Sequence, residues 1–379
     1  MNLAIDATTM IEGGGLKYLN KLLENFSPNY SKFKKIVVFV DSEFKSDFKI
    51  CEQHIKLNFL PKKKFFGINL IFWKIFVMRK KIYQDNCEIL FALSTYNFSF
   101  FYPFVSIIHN QLPFQNNEIK RYGISFKTIK FFILKFLFSF FILKSSGLIF
   151  LSNDSREAIA KKLKFKHISN IVIPHGLDDN DNRIYFNSSN KKNFNQKRPF
   201  RIIYLSNFEA YKNQDAVGKA VSILRKEGLQ VEINFVGRLL GYGKKIKRTF
   251  IDLDPLHNFL IIHGWKKKSE VEEIIKESDL MIFASSCESF GQIVLESMRW
   301  GIPIICSENG PMKEILGEVK TEYFDPTNII DISKKIQYMF ENNYKRENLS
   351  DAVYKRSLDF SWNNSFKETL NFIANIERN

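Results

Sequence analysis

The 379-residue sequence has few cysteines, glycines and prolines and no long uninterrupted apolar run. Its four cysteines are scattered, without a CxxC pair or a metal-like His/Cys spacing, which argues against a disulfide framework and a structural zinc site. The 17 glycines and 10 prolines are too few for a collagenous or low-complexity chain. Residues 1–6 lack a charged stretch followed by a long apolar one, so we expect no signal peptide and a reducing cytosol.

Acidic residues are scarce in the first half of the chain. Residues 1–170 hold 26 basic and 12 acidic residues, whereas residues 171–379 hold 30 and 28. This asymmetry indicates a polyanionic partner, either nucleic acid or an anionic membrane surface, or else a lysine-rich proteome.

The most membrane-like stretch, residues 126–143, is interrupted by Lys127, Lys130 and Lys135. Its apolar runs are far below the roughly 20 residues that span a bilayer. The pattern predicts a helix that either lies on an anionic bilayer or packs against a sheet. The same mixture of basic and aromatic residues recurs around residues 62–66 and 72–81.

Short apolar runs alternate with helical patterns along the chain, which predicts an α/β fold with parallel sheets covered on both faces. The predicted strands are residues 3–5, 36–40, 89–93, 104–108, 147–151 and 171–173, then 201–205, 231–236, 260–262, 280–283 and 302–305. We predict a first Rossmann-like domain over residues 1–177, a polar linker over 178–198, a second such domain over 199–358 and a returning helix over 359–379. Ligands of open parallel sheets bind at the carboxyl ends of the strands, so two such halves predict a two-substrate site.

The segment 283–303 carries the sharpest chemical pattern. An apolar strand is followed by Glu288, by Gly291 at a predicted helix start, and by Glu296 inside the helix. Eight positions at about 1.5 Å per residue separate the carboxylates by up to roughly 12 Å, enough to straddle a pyrophosphate that faces the helix amides. The alternative is an ordinary strand-to-helix turn with a glutamate favoured by the helix dipole.

The pair Glu288-x7-Glu296, followed by Gly301-Ile-Pro303, resembles the donor-site signature of the retaining GT-B glycosyltransferases of family four. The similarity extends to the triplet Gly13, Gly14 and Gly15, and to His109, His175-Gly176, Lys212-Asn213 and His263-Gly264. The resemblance implies two Rossmann-like domains facing each other across a cleft, with a C-terminal helix crossing back to the first. It also implies a hexosyltransferase that uses a UDP- or GDP-linked sugar, retains the anomeric configuration and needs no metal or other cofactor.

The same resemblance assigns roles to individual residues. Glu296 is expected to hold the donor ribose and Glu288 to contact the transferred sugar. Lys212 is expected to neutralise the pyrophosphate, which fits the charge that a departing diphosphate gains. His109 matches a histidine near the transferred sugar, with a purely structural histidine as the alternative. We therefore expect Glu288, His109 and Lys212 to be catalytic.

The donor site is expected to include further residues around these. They are Ser289, Phe290, Gly291, Gly264 and Arg238, with Gly13, Gly14 and Gly15 forming a loop in the first domain. The family commonly has an arginine five positions before the lysine, where this chain has Asn207. Arg238 is a candidate replacement for that charge or an ordinary surface residue.

The resemblance is to transferases of bacterial surface polysaccharides, such as the O-antigen of lipopolysaccharide or capsule. It implies a lipid-linked glycan acceptor and a peripheral position on the inner face of the cytoplasmic membrane, reached through the basic first domain. We expect no nucleic-acid partner. The alternatives are a non-catalytic nucleic-acid-binding protein and a GT-B nucleotide-sugar epimerase.

Overall fold

The computed structural model describes residues 1–9, 14–28, 31–43, 53–61, 67–178, 183 and 194–377. The chain divides into two compact units. The first consists of Met1–Phe114, Ser125–Gly176 and Ser361–Asn379, and the second of Gln115–Ile124 and Leu177–Phe360. Most of the predicted linker lies outside the described residues, so its boundaries stay predictions.

The first unit is built on a seven-stranded parallel sheet of order β3-β2-β1-β4-β5-β6-β7. Its strands are β1 (Asn2–Asp6), β2 (Lys35–Val40), β3 (Ile55–Phe59), β4 (Ile89–Ala92), β5 (Phe104–Ile108), β6 (Gly147–Phe150) and β7 (Ser169–Val172). The central strands are apolar and buried along their length, because helices cover both faces of a parallel sheet. The sequence pattern missed β3, whose residues IKLNF lie at the sheet edge and are only partly buried.

Helices connect these strands. They are α1 (Gly14–Glu24), α2 (Ile68–Trp73), a π-helical turn (Lys74–Met78), α3 (Arg79–Gln84), α5 (Phe126–Lys144), α6 (Asn153–Ala160) and α14 (Trp362–Ala374), with a 3-10 turn at Leu112–Phe114. The helix predicted at 126–143 is confirmed as α5, and the Ser125 hydroxyl caps it by accepting from the Thr128 N–H at 3.3 Å.

A buried ion pair lies at the carboxyl end of β1. The Lys74 ammonium, in the π-helical turn, donates to Asp6 Oδ2 at 2.7 Å, and neither side chain is exposed. The other carboxylate oxygen, Oδ1, accepts from the Thr8 hydroxyl at 2.7 Å and the Thr8 N–H at 3.2 Å. A buried charge needs such partners, because its desolvation is otherwise uncompensated.

The predicted return of the last helix is confirmed, since Ser361–Asn379 belongs to the first unit. The Tyr18 ring of α1 lies 5.1 Å from the Phe366 ring of α14. Two glycines permit this packing. A Cβ at Gly176 would lie 2.1 Å from the Trp362 backbone nitrogen, and one at Gly147 would lie 2.7 Å from Ile376 Cδ1.

The second unit is built on a six-stranded parallel sheet of order β10-β9-β8-β11-β12-β13. Its strands are β8 (Phe200–Leu205), β9 (Val231–Val236), β10 (Leu260–Gly264), β11 (Leu280–Phe283), β12 (Ile304–Ser307) and β13 (Tyr323–Phe324). Its helices are α4 (Asn116–Lys120), α7 (Gln214–Lys226), α8 (Gly243–Leu253), α9 (Lys268–Glu277), α10 (Gln292–Trp300), α11 (Met312–Leu316), α12 (Ile329–Glu341) and α13 (Asn343–Ser357).

Element boundaries in the second unit differ from the predicted ones by up to two residues. The helix predicted from about residue 290 begins at Gln292, because Gly291 has a left-handed backbone with φ 102°. The strand predicted at 302–305 is β12, Ile304–Ser307, since Pro303 lacks the N–H that a ladder position requires. Among the described helices, none has the length and apolar character needed to cross a membrane.

Candidate functional site

Loops from five strands meet at one edge of the second unit's sheet. Because all its strands are parallel, the loops after β8, β9, β10, β11 and β12 leave from the same edge. Backbone contacts join them, since the Gly237 N–H donates to the Gly264 carbonyl at 2.9 Å and the Ser286 N–H donates to the Tyr211 carbonyl at 2.8 Å. This edge carries Lys212, Arg238, Gly264 and Glu288.

Lys212 ends a short 3-10 turn, Ala210–Lys212, after β8. The Tyr204 hydroxyl donates to the Lys212 carbonyl and accepts from the Ala284 N–H at 3.2 Å. Asn213 then takes a left-handed conformation with φ 53°, and its amide donates to the Ala284 carbonyl at 2.8 Å. Tyr204 and Asn213 therefore fasten the lysine turn to the loop after β11.

The Lys212 ammonium forms an ion pair with Glu288 Oε1. The two side chains are only 13% and 17% exposed. The ammonium also lies 5.1 Å from the centre of the Phe283 ring and 5.2 Å from that of Tyr211, within the range of a cation–π contact. Burial and then the charge of Glu288 raise the pKa of Tyr204 and Tyr211 well above the usual value, so both phenols stay neutral.

Glu288 leads into Gly291 and helix α10. A Cβ on Gly291 would lie 2.6 Å from Met312 Cε, and the positive φ disfavours any other residue, so glycine suits this helix start. Glu296 lies in the second turn of α10, partly buried, with its Oε1 3.4 Å from Gln292 Nε2. Glu288 and Glu296 therefore lie on either side of the start of α10.

The intervening residues Ser289 and Phe290 are both buried. The Phe290 ring packs edge-on against Phe360 at 6.3 Å. Phe290 therefore supports the loop from within the unit.

Arg238 lies in the loop after β9 and contacts two neighbouring loops. Its backbone N–H donates to Asn207 Oδ1 at 2.9 Å, and its guanidinium carbon lies 5.9 Å from the centre of the Trp265 ring. Trp265 follows Gly264, which has a φ of 72°, and is 59% exposed. Asn207 thus positions the loop that brings Arg238 to this edge.

His109 follows β5 in the first unit, where it is partly buried. Its ring stacks on His175 at 5.5 Å and meets Tyr18 edge-on at 5.7 Å. Its Nε2 atom is buried and has no hydrogen-bond partner among the described residues. Burial lowers the pKa of His109 to about 4, so the imidazole is neutral at physiological pH.

The glycine triplet is only partly described. Gly13 lies outside the described residues, whereas Gly14 and Gly15 begin helix α1. Within the described ranges, no group of three or more His, Cys, Asp and Glu side chains is arranged to hold a metal ion.

Sequence reasoning missed several residues that shape the site. Tyr204 lies in β8, Tyr211 in the 3-10 turn before Lys212 and Trp265 directly after β10. Tyr211 stands in the segment that resembles the family, but the sequence assigned none of the three a role in the site. Their contacts with the lysine turn and with Arg238 join positions up to 80 residues apart, as in the bond between Tyr204 and Ala284. Only their place at the carboxyl ends of predicted strands gave a signal.

The fold is GT-B, with two parallel-sheet Rossmann-like domains. The structure matches that of HepE from Anabaena in complex with UDP and glucose, with a TM-score of 0.72 and 17% identity over 99% of this chain and 100% of that one. The family model described as glycosyl transferases group 1 matches residues 186–356, which lie in the second unit.

Curated relatives match part of the sequence. N-acetyl-alpha-D-glucosaminyl L-malate synthase of Bacillus anthracis is 26% identical over 54% of this chain and 53% of its own. O-antigen chain mannosyltransferase B of Escherichia coli is 21% identical over 45% of this chain and 44% of its own. The chain spans about half the length of these relatives. Together the comparisons support a glycosyltransferase of the GT-B fold.

Proposed function

We propose that this protein transfers a hexosyl group from a nucleotide-sugar, UDP- or GDP-linked, to a glycan acceptor with retention of the anomeric configuration. The observation that carries the proposal is the Lys212–Glu288 ion pair, at the sheet edge from which helix α10 begins. A cation, a carboxylate and the start of a helix at one edge suit a sugar joined to a pyrophosphate.

Each group has a distinct task in this reaction. The bond between the anomeric carbon and the diphosphate breaks, the acceptor oxygen bonds to that carbon, and the acceptor's proton leaves with the nucleoside diphosphate. Lys212 stabilises the charge that develops on the diphosphate. Glu288 holds the sugar and Glu296 the ribose, as the family resemblance implies. No step in this scheme requires a metal ion.

Donor binding must rearrange the ion pair. Lys212 and Glu288 neutralise each other here, and a pyrophosphate offers the ammonium a larger negative charge than one carboxylate. We infer that Lys212 turns toward the phosphates when the donor binds. Glu288 then accepts hydrogen bonds from sugar hydroxyls in exchange for the lysine. The buried Phe283 ring and the partly buried Tyr211 ring lie within cation–π range of the ammonium in the ion-paired arrangement.

We also propose a lipid-linked acceptor of a bacterial surface glycan, O-antigen or capsule, and a peripheral position on the inner face of the cytoplasmic membrane. The O-antigen mannosyltransferase among the relatives supports this acceptor class. The excess of basic residues over residues 1–170 supports an anionic surface as partner.

The test is a thermal-shift screen of the purified protein against UDP-, GDP-, dTDP- and CMP-sugars, repeated with Glu296→Ala. We expect one nucleotide class to raise Tm and the substitution to abolish that shift, because a ligand at 100 times its Kd stabilises by about 2.7 kcal/mol. An equal rise in Tm with Glu296→Ala would contradict the proposed role of Glu296 in donor binding. Conversion of the nucleotide-sugar without acceptor would favour the epimerase, and salt-sensitive oligonucleotide binding with no donor shift would favour the nucleic-acid-binding alternative.

A further inference from the structure

Helix α5 of the first unit presents an apolar face to solvent. Its exposed large side chains recur every three or four positions, and Phe136 is 72% exposed. With an aromatic residue from a neighbouring loop they form a surface that we call the aromatic face. Its residues are Ile129, Phe132, Ile133, Phe136 and Phe140 of α5 and Phe100 of the loop before β5.

The opposite side of the same helix packs in the core. Phe131, Phe138, Phe141 and Ile142 of α5 are buried. Phe138 and Ile142 pack in a cluster with β6 and α6, while Phe141 packs with α3 and β4. The exposed phenylalanines are therefore not needed to hold α5 on the sheet.

Phe100 is held outward by a tight loop. Its backbone is left-handed, with φ 51°, which is strained for a bulky residue. The buried Asn97 fixes this loop, since its side chain donates to the Phe101 carbonyl at 2.9 Å and accepts from the Ser99 N–H at 3.1 Å. The Phe100 ring lies 5.9 Å from Phe141, which places it beside α5. Strain kept at an exposed aromatic residue indicates a function for that ring.

A second exposed strip covers the same core cluster. Ile68, Phe72 and Phe76 are exposed along α2 and the π-helical turn, and the Phe72 and Phe76 rings stack at 6.2 Å. Trp73, between them in sequence, packs in the core cluster that also contains Phe141. The two strips thus belong to one side of the first unit.

The charges on these helices have one sign. Residues 68–84 and 126–144 contain no acidic residue, and both segments contain lysine. Lys130 and Lys144 are exposed on α5, and Lys80 is exposed on α3. Exposed aromatic and aliphatic side chains bordered only by cations complement the interface of an anionic bilayer, where rings enter the headgroup boundary and lysines meet phosphates.

We propose that the aromatic face, with Lys130 and Lys144, is the surface by which this protein docks on an anionic phospholipid bilayer. The helix lies in the plane of the interface and does not cross it, in keeping with its lysines. This surface deepens the membrane association proposed above and rests on it for the biological setting. It does not depend on the identity of the donor or on the chemistry of transfer.

The test is co-sedimentation of the full chain with vesicles of phosphatidylglycerol and phosphatidylcholine. The triple variant Phe132→Ser, Ile133→Ser, Phe136→Ser should bind at least tenfold more weakly, because three large apolar side chains no longer enter the interface. The matched control is Leu256→Ser, Ile330→Ser, Leu358→Ser, three exposed apolar residues of the second unit, which should bind as wild type. Equal binding by the triple variant, or no binding by the wild type, would overturn the proposal.

The charge contribution has its own control pair. Lys130→Gln with Lys144→Gln should lower the partition coefficient by about fivefold per lysine at low salt. Lys226→Gln with Lys355→Gln, exposed positions of the second unit, should leave it unchanged. Sedimentation equilibrium without vesicles tests whether a second copy of this chain covers the aromatic face instead of a bilayer. A wild-type dimer that the triple serine variant converts to monomer would show that a second copy covers the face and would overturn the bilayer assignment.

Failure of this surface and failure of the proposed function give different results. The triple variant should keep the donor-induced rise in Tm of the wild type, which also shows that it is folded. Vesicle binding without any donor shift would leave the surface standing and remove the donor site. A donor-induced rise in Tm without vesicle binding by the wild type would overturn the docking surface and leave the donor site standing.

Discussion

Lys212 and Glu288, 76 positions apart, form an ion pair that joins the loop after β8 to the loop after β11. The pair is enclosed by Phe283 and Tyr211, and Tyr204 fixes the carbonyl of the lysine. The two loops are therefore fastened together at this ion pair. In the proposed reaction the pair opens when the donor binds, and the ammonium then faces the charge that develops on the diphosphate.

Removal of the cation should slow the chemical step. For Lys212→Ala we expect kcat to fall about 100- to 1000-fold, the usual effect of removing one charge-stabilising donor. Single-turnover kinetics measure this step. Lys226→Ala, in the exposed last turn of α7, is the control and should retain wild-type kcat. Unchanged turnover in Lys212→Ala would remove the lysine from the mechanism.

The two glutamates should have separable effects. Glu296→Ala is expected to weaken nucleotide binding, because the ribose loses its acceptor, whereas Glu288→Gln should lower kcat more than it raises the donor Kd. Isothermal titration with the donor and initial-rate kinetics distinguish the two. Glu227→Gln, an exposed position after α7, should change neither quantity. If Glu288→Gln raised the donor Kd and left kcat unchanged, Glu288 would not have the proposed role beside the transferred sugar.

Gly176 should tolerate no side chain. Gly176→Ala would place Cβ within 2.1 Å of the Trp362 backbone nitrogen, so the start of α14 must move. We expect the free energy of unfolding to fall by about 3 kcal/mol or more and Tm to fall by several degrees. Gly241→Ala is the matched control, because no atom lies within 4 Å of its added Cβ. Equal Tm values for both variants would contradict this account of the packing.

His109 should make the protein less stable in acid. Burial lowers its pKa from 6.5 to about 4, so between these pH values the unfolded chain binds a proton that the folded chain does not. Stability is therefore lost as pH falls from about 6.5 to about 4, by about 1–3 kcal/mol. His109→Gln should flatten this part of a plot of Tm against pH, while the exposed His257→Gln should leave it unchanged. Parallel curves for wild type and His109→Gln would show that His109 is not the source of the loss of stability in acid.

The buried pair of Asp6 and Lys74 should show strong coupling. Lys74→Met leaves a buried carboxylate without its cation and should cost about 3–5 kcal/mol of unfolding free energy. Adding Asp6→Asn should recover much of the loss, because the amide oxygen still accepts from Thr8 and no charge remains. Urea denaturation of the two single variants and the double variant gives the coupling energy. Additive effects would show that the two side chains act independently.

Strand positions could be predicted because central parallel strands are apolar on both faces. The order of the two units followed from the two successive series of such strands. The edge strand β3 could not be predicted, since IKLNF is mostly only partly buried and Lys56 and Asn58 interrupt its apolar pattern. Glu288 and Gly291 stand out from a strand-to-helix pattern, and Lys212 from the family resemblance. The bonds of Tyr204, and the cation of Lys74 beside Asp6, depend on residues brought together only by folding. The segment Gln115–Ile124 follows a strand of the first unit yet packs with the second, which periodicity does not reveal.

The order in which the chain leaves the ribosome differs from the order in which its units are finished. The first unit lacks α14 until residues 361–374 have been synthesised, and by then the whole of the second unit is available to fold. Until α14 arrives, the Tyr18 ring and the Gly147 strand lack the side chains that pack on them. The nascent chain therefore exposes the apolar surface that α14 covers until nearly all of these residues have been synthesised.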